Sequence, residues 1–267
     1  MYNFTLRTNI ISYLDLSMST IKEKFKSLKN SRFWAGRLVY GISKQLLYPV
    51  KLIFDSNYRA KQLAQWKFGE HYYQKETFTA PNRYPELFEQ CKLYLHDKKQ
   101  TYILSFGCST GQEVASIGEY LPDAHIMGVD INQWCINQCR ENLKNPRFSF
   151  CHSLSKAFSA SVGFDAIFCM AVFQRTENRT NANNVKATGF TFKQFEKEIL
   201  TLNNKLKPGG LFIIDQADFR FMDTACSNYY KPLDFAGNKT IRERPVFDRN
   251  NQKIDELNNT YRMFVKL

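Results

Sequence analysis

From Tyr102 onward, short apolar runs alternate with helical periods and Gly-rich turns. Tyr102-Ile-Leu-Ser-Phe106 is an apolar run that ends at Gly107-Cys-Ser-Thr-Gly111, and Glu113 to Tyr120 follows with helical spacing. After Pro122, His125-Ile-Met-Gly-Val129 is a second run ending at Asp130, so the stretch predicts a strand, turn, helix, strand unit. Asn132 is placed to cap a helix to about Leu143, and Arg147 to Cys151 and Phe164 to Cys169 predict a third and a fourth strand. Beyond a polar loop, 174–189, a helix from about Thr191 to Leu206 is expected to stop at Lys207-Pro-Gly-Gly210 and lead into the strand Leu211-Phe-Ile-Ile214. This alternation predicts an α/β, doubly wound, mostly parallel sheet with helices on both faces.

The flanking segments read differently. Residues 17–57 predict helices: Ser17 or Ser19 caps a Lys-rich run, and Phe33, Trp34, Leu38, Ile42 and Leu46 recur at helical spacing until Pro49 interrupts. After residue 215 come a polar loop, a stretch Pro245 to Ile254 whose Asn-Asn centre suits a hairpin turn, and a closing alternating strand, Tyr261 to Leu267. The expected organisation is a helical N-terminal segment, 1–70, followed by an α/β domain, 71–267.

Composition narrows the class. The 267 residues are 43% hydrophobic and 15% aromatic, enough for a sizeable core plus an appendage, which excludes low-complexity and collagen-like chains. No run reaches the ~18 apolar residues a membrane-spanning helix needs, and Met1 to Leu16 lacks the pattern of a secretory signal. Seven scattered cysteines without a C-x-x-C pair fit neither a disulfide framework nor a zinc ribbon, so reduced thiols in the cytoplasm and no metal are expected. The net charge of +12 is uneven: residues 1–70 hold 12 Lys+Arg against 4 Asp+Glu, leaving 25 against 21 for the rest. A basic, aromatic-rich arm fits peripheral contact with an anionic membrane surface or a protein partner, and a basic balance also permits nucleic acid.

Chemistry is expected where the strands end, because a doubly wound sheet takes its ligand outside the carboxyl ends of the strands. That points to Ser105 to Glu113. Gly107 and Gly111 allow positive φ and close approach, Cys108 and Ser109 keep side chains small, and Asp130 is positioned to accept hydrogen bonds from ribose hydroxyls. A nucleoside ligand follows. The turn lacks the G-x-G-x-x-G spacing and the Walker lysine, which argues against NAD and ATP.

With these motifs in order, residues from about Thr77 to Ile214 resemble the class I S-adenosylmethionine-dependent methyltransferases. Ile103 to Gly111 is similar to the glycine-rich first motif, Gly128-Val-Asp130-Ile131 to the acidic second, Phe164 to Val172 to the fourth, and Leu206 to Gly210 to the turn before a later strand. The resemblance implies a Rossmann-like seven-stranded sheet with an antiparallel last strand, and S-adenosyl-L-methionine as cofactor. Within that class, Thr79-Ala-Pro-Asn-Arg83 and Cys108-Ser-Thr-Gly-Gln-Glu113 are similar to the cofactor site of the chemotaxis-receptor glutamate methyltransferases. The resemblance implies that Thr79 and Arg83 hold the methionine carboxylate, Glu113 holds the α-amino group, and Ile131 and Ser153 lie along the nucleoside. Met170-Ala171 stands where that subfamily has Arg-Asn, so receptor glutamate is not the expected acceptor.

The expected activity is methyl transfer to a small molecule or a glycan or lipid intermediate. The alternatives are a nucleic-acid or protein methyltransferase, and a non-catalytic cofactor-binding or interaction protein on the same fold. In-line displacement requires no obligate catalytic residue. His71 and His152 are the histidines near enough in sequence to serve as a base, and neither is assigned. Acceptor contacts are expected from the loop 174–179 with Arg175, from Phe68 to Tyr73, and from Asp215 to Tyr230, where Tyr229 and Tyr230 are the candidates.

Overall fold

The computed structural model describes residues 48–49, 51–69, 71–175, 190–242, 245–254 and 258–267. The helices expected over 17–57 lie outside the described residues, apart from 48–49 and 51–57, which are helical except at Asp55. The chain divides into two units, Met1–Arg59 and Ala60–Leu267. In the first, the Arg59 guanidinium donates to the carbonyls of Leu52 and Ile53, both at 2.8 Å. Helix α1, Ser56–Phe68, begins where Asp55 Oδ1 accepts from the Tyr58 N–H at 2.8 Å.

The second unit follows the predicted alternation. Helix α2 (Pro85–Leu95) leads to β1 (Tyr102–Phe106), α3 (Gln112–Tyr120), β2 (His125–Asp130), α4 (Gln133–Asn142), β3 (Phe148–His152), α5 (Lys156–Ala160), β4 (Phe164–Met170), α6 (Phe192–Asn203) and β5 (Leu206–Asp215). The tail adds β6 (Tyr230–Pro232), β7 (Lys239–Arg242), β8 (Val246–Phe247), β9 (Lys253–Ile254), β10 (Asn258–Tyr261) and β11 (Met263–Lys266). Seven strands form one sheet in the order β3-β2-β1-β4-β5-β11-β6. The first five are parallel, and β11 runs antiparallel between β5 and β6. This is the Rossmann-like, mostly parallel, seven-stranded sheet with an antiparallel last strand. Order reverses between β1 and β4, which puts the ligand crevice at their carboxyl ends.

The period of two decides which residues fill each side. On one face Leu104, Ile167, Cys169, Phe212 and Ile214 pack against Phe195, Ile199 and Leu202 of α6. On the other, Ile103, Ala166, Phe168, Leu211 and Ile213 meet Leu87, Phe88 and Cys91 of α2 and Val114 and Ile117 of α3. Every residue of β4 is buried, as a strand covered on both faces must be. Helix α6 starts at a capping box: Thr191 accepts from the Gln194 N–H, and the Gln194 side chain accepts from the Thr191 N–H.

One expectation needs correcting. Lys207-Pro-Gly-Gly210 was expected to separate helix from strand, yet β5 already begins at Leu206 and the tetrapeptide lies within it. The register jumps from Phe164↔Leu206 to Ala166↔Leu211, because Pro208 has no N–H to give the ladder and Gly209 turns at φ 69°. The hairpin at 245–254 forms as β8 and β9, with Asn251 at φ 64°, but as a separate two-stranded sheet. The main sheet instead recruits the three-residue β6.

Away from the crevice, Asp165 of β4 ties together β1, β5 and the loop after α2. It is 2% exposed and accepts from Lys98 Nζ at 2.8 Å, Lys207 Nζ at 2.9 Å and the Tyr102 N–H at 2.9 Å. Burial alone would raise its pKa, but these donors hold it below the usual carboxylate range, so its stabilisation is present above pH ~4 and lost as pH falls further. The two lysines are 38% and 40% exposed and rehydrate when unpaired. Asp165→Asn should therefore cost about 1.5–3 kcal/mol at pH 7, less than the ~3–5 kcal/mol of a fully buried broken pair. Urea unfolding measures it; an unchanged midpoint would contradict the role given to Asp165.

Candidate active site

The crevice is built by the turn after β1. Gly107 has φ 80°, Ser109 φ 50° and Gly111 φ 89°, three left-handed positions in five residues. Gly107 and Cys108 N–H groups donate to Val129 O at 2.7 and 3.0 Å, which ties the turn to β2. A Cβ at Gly107 would sit 2.6 Å from Val172 Cγ2, so glycine is required there by space as well as by φ. The Asp130 carboxylate completes the turn, Oδ2 accepting from the Ser109 N–H at 2.9 Å and Oδ1 from the Asn132 N–H at 2.7 Å. Asn132 then caps α4 by accepting from the Trp134 N–H at 3.0 Å.

A segment without regular secondary structure, residues 72–80, runs along the crevice. Ser109 Oγ donates to Thr77 O at 2.8 Å, and Gln74 Nε2 to Ala171 O at 3.4 Å. Ala171, just past β4, holds φ 60° and its carbonyl takes a second amide donor, Gln174 Nε2, at 2.8 Å. Between segment and strand ends lies a cavity of about 260 Å3.

Of the sequence-predicted residues, Thr79, Arg83, Gly107, Cys108, Ser109, Glu113, Asp130, Ile131, Ser153, Met170 and Ala171 line this cavity. Gly111 does not; a Cβ there would meet Leu143 Cδ1 at 2.5 Å, so it acts through the shape of the turn. Arg175 is buried outside the lining, its N–H donating to Asp218 Oδ2 at 2.8 Å. Tyr229 is exposed, and the Tyr230 hydroxyl donates to Asn203 Oδ1 at 2.8 Å from the edge of the sheet; neither borders the cavity. Residues 176–179 of the loop lie outside the described residues.

The two histidines separate. His71 lines the cavity with Nδ1 3.4 Å from Glu198 Oε1, which also accepts from the Tyr73 hydroxyl at 3.0 Å. His152 lies outside the lining, with its ring centroid 5.2 Å from that of Phe68 and its Nδ1 accepting from the Leu154 N–H at 3.1 Å; burial lowers its pKa. Sequence reasoning missed Gln74, Thr77 and Asn132 as lining residues, while Tyr72 belongs to the segment Phe68 to Tyr73 from which acceptor contacts were expected. Asn132 was visible only as a helix cap, although its place two residues after Asp130 put it at the same strand end.

Electrostatically the cavity has two acidic poles. Glu113 accepts from Ser105 Oγ at 2.7 Å; burial pushes its carboxyl up to about 7, against the lowering effect of Ser105 and of Arg83. Arg83 lies over the rings of Tyr84 and Phe78, at 5.3 and 5.8 Å. Burial also raises Asp130, against the N–H groups of Asn132, Ser109 and Ile131. Among the described residues no cluster of His, Cys, Asp or Glu is arranged to hold a metal ion.

Residues 97–259, more than half of the chain, match a family model described as "Methyltransferase domain". The chain belongs to that methyltransferase-domain family. The cofactor such a domain uses is S-adenosyl-L-methionine. No curated protein matches the chain. Among solved structures, PKMT2 from Rickettsia typhi is 20% identical over 43% of this chain and 20% of its own, with a TM-score of 0.33. The plantazolicin methyltransferase BpumL in complex with SAH is 18% identical over 73% of this chain and 61% of its own, at 0.38. YcgJ from Bacillus subtilis is 15% identical over 49% and 48%, at 0.33. The chain thus spans less than two thirds of the length of each, and at such identities and TM-scores these likenesses carry no functional weight.

The raised Glu113 carboxyl has a measurable consequence for stability. Between pH ~4.5 and ~7 the folded chain keeps a proton that the unfolded chain releases, so this group lowers stability as pH rises through that window. Glu113→Gln, which keeps an acceptor for Ser105, should stabilise the protein at pH 8 by on the order of 2 kcal/mol, with little difference near pH 4. Thermal unfolding at both pH values tests this, and a pH-independent difference would refute it.

Proposed function

We propose that the protein binds S-adenosyl-L-methionine in this cavity, the methionine end between Arg83 and Glu113 and the nucleoside end against Asp130. It would transfer the methyl group to a small molecule or a glycan or lipid intermediate. The observation that carries the reading is the cation and carboxylate at one end of the lining and a second carboxylate in the strand-end turn. A zwitterionic amino acid wants both charges, and the bound ammonium would replace the hydration that burial takes from Glu113. In this reading Thr79 joins Arg83 on the carboxylate. Gly107, Cys108 and Ser109 present the turn, Ile131 and Ser153 flank the nucleoside, and Met170 and Ala171 close the far wall.

The cofactor supplies an electrophilic methyl group on a sulfonium; the protein's part is to orient the acceptor in line and exclude water. The Thr79/Arg83 spacing and the turn ending in Glu113 support kinship with the chemotaxis-receptor methyltransferases, while Met170-Ala171 argues for a different acceptor. Among the described residues, one arginine and no lysine line the cavity, which does not suit a phosphate backbone. Seven free, buried thiols support a reducing, cytoplasmic location.

Calorimetric titration with S-adenosylmethionine and S-adenosylhomocysteine tests the reading. Micromolar binding is expected, weakened about tenfold or more by Asp130→Asn and by Glu113→Gln. A folded protein that binds neither ligand would overturn it.

A second observation concerns α1, where Leu63 and Trp66 are 56% and 84% exposed beside exposed Lys67. Together with the +8 charge of 1–70, this supports peripheral contact with an anionic membrane surface. Vesicles of phosphatidylcholine should co-sediment the protein severalfold better once phosphatidylserine is added, and Leu63→Ser/Trp66→Ala should remove the gain. Equal sedimentation of parent and variant removes the membrane role and leaves a protein partner.

A further inference from the structure

Three polar side-chain atoms at the nucleoside end of the cavity are buried without a hydrogen-bond partner: Tyr72 Oη, Asn132 Nδ2 and Ser153 Oγ. Tyr72 is 2% exposed and Asn132 1%, so water does not satisfy them readily, and an unpaired buried donor is costly. The amide of Asn132 cannot flip to relieve this. Its Oδ1 is committed to the Trp134 N–H at 3.0 Å as the cap of α4, which fixes Nδ2, a pure donor, as the atom left over. Tyr72 faces the same carboxylate: burial first, and Asp130 next, keep its phenol protonated and hence a donor toward oxygen. Asp130 already accepts one N–H on each oxygen, from Asn132 on Oδ1 and Ser109 on Oδ2, leaving each oxygen further acceptor capacity.

These groups make a matched set. A carboxylate offers two acceptors, and a phenol and an amide offer two donors. A hydroxyl both donates and accepts, so two adjacent hydroxyls meet such a set in full: each gives its proton to Asp130 and takes one from Tyr72 or Asn132. We infer that Tyr72 and Asn132 complete, with Asp130, a clamp for the vicinal diol of the cofactor's ribose, Tyr72 reaching it from the irregular segment that runs along the cavity. The inference rests on the proposed cofactor site and extends it to a specificity role. Removing either ribose hydroxyl leaves a buried donor unpaired, so the clamp selects ribose over deoxyribose.

Titration of the full-length protein with S-adenosylhomocysteine and with its analogues lacking the 2′- or the 3′-hydroxyl tests this by binding alone. Tyr72→Phe keeps the ring and should weaken S-adenosylhomocysteine about five- to twentyfold, yet lose almost nothing on the one analogue that lacks its partner hydroxyl. Asn132→Asp keeps the acceptor that caps α4 and removes the donor; it should weaken S-adenosylhomocysteine about tenfold or more and lose less on the other deoxy analogue. Tyr72→Phe binding S-adenosylhomocysteine as tightly as the parent, or losing the same factor on all three ligands, would overturn the clamp. Failure of the unmodified protein to bind S-adenosylhomocysteine would instead sink the cofactor reading, and the clamp with it.

Discussion

The carboxylate of Asp130 accepts the backbone N–H of Ser109 on one oxygen and that of Asn132 on the other, and so joins the turn after β1 to the start of α4. Ser109 sits at φ 50°, a conformation that costs a non-glycine residue about 1 kcal/mol and needs an external hold. Its hydroxyl in turn holds Thr77 O, so the irregular segment along the cavity takes its position from the same turn. Strand ends, helix cap and covering segment thus share one anchor. The close approach of Gly107 to Val172 and of Gly111 to Leu143 leaves the backbone few other courses.

That anchor is not where the molecule gains stability. Asp130 and Glu113 are carboxylates pushed upward by burial, and Tyr72, Asn132 and Ser153 carry buried atoms without partners. Each is unfavourable for folding alone. The compensation lies elsewhere, in the aromatic packing of Phe173, Phe190, Phe195 and Phe219 on one face of the sheet and in the triply donated Asp165 at its other end. A chain selected only for stability would replace Glu113 by a neutral residue. Its retention fits a site whose unfavourable groups are matched by a ligand.

Legibility follows from what each element buries. Strands β1, β2 and β4 are covered on both faces, so their sequences are short apolar runs, and β1 and β2 are closed by Gly107 and Asp130, so the turn they feed announces itself. Strand β6 pairs only with β11 and has three residues, one of them Pro232, too few to carry a period of two. Residues 72–80 have no period at all; they are placed by Ser109 and Ala171, distant in sequence, so Gln74 and Thr77 could not be read as site residues. Asn132 was read correctly as a cap, but one oxygen of its amide explains the cap and only the fold shows where the nitrogen goes. Tyr230 opens β6, and because β11 enters between β5 and β6 it lies at the edge of the sheet, away from the cavity lining.

The two ends of the cavity also differ in how they would hold a ligand. At the end of β4, Ala171 sits at φ 60° and its carbonyl takes amide donors from both Gln74 and Gln174, so that wall is set before any ligand arrives. At the end of β2 the donors point to no protein acceptor. Hydrogen-bond energy from a ligand would therefore concentrate at the β2 end, while the Ala171 side would contribute shape. A methyl donor fixed at its nucleoside and amino-acid ends leaves its sulfonium positioned without direct contacts, which is what an in-line transfer governed by proximity requires. The acceptor then needs alignment against a rigid wall more than a charged partner, and this fits an enzyme in which no base is assigned.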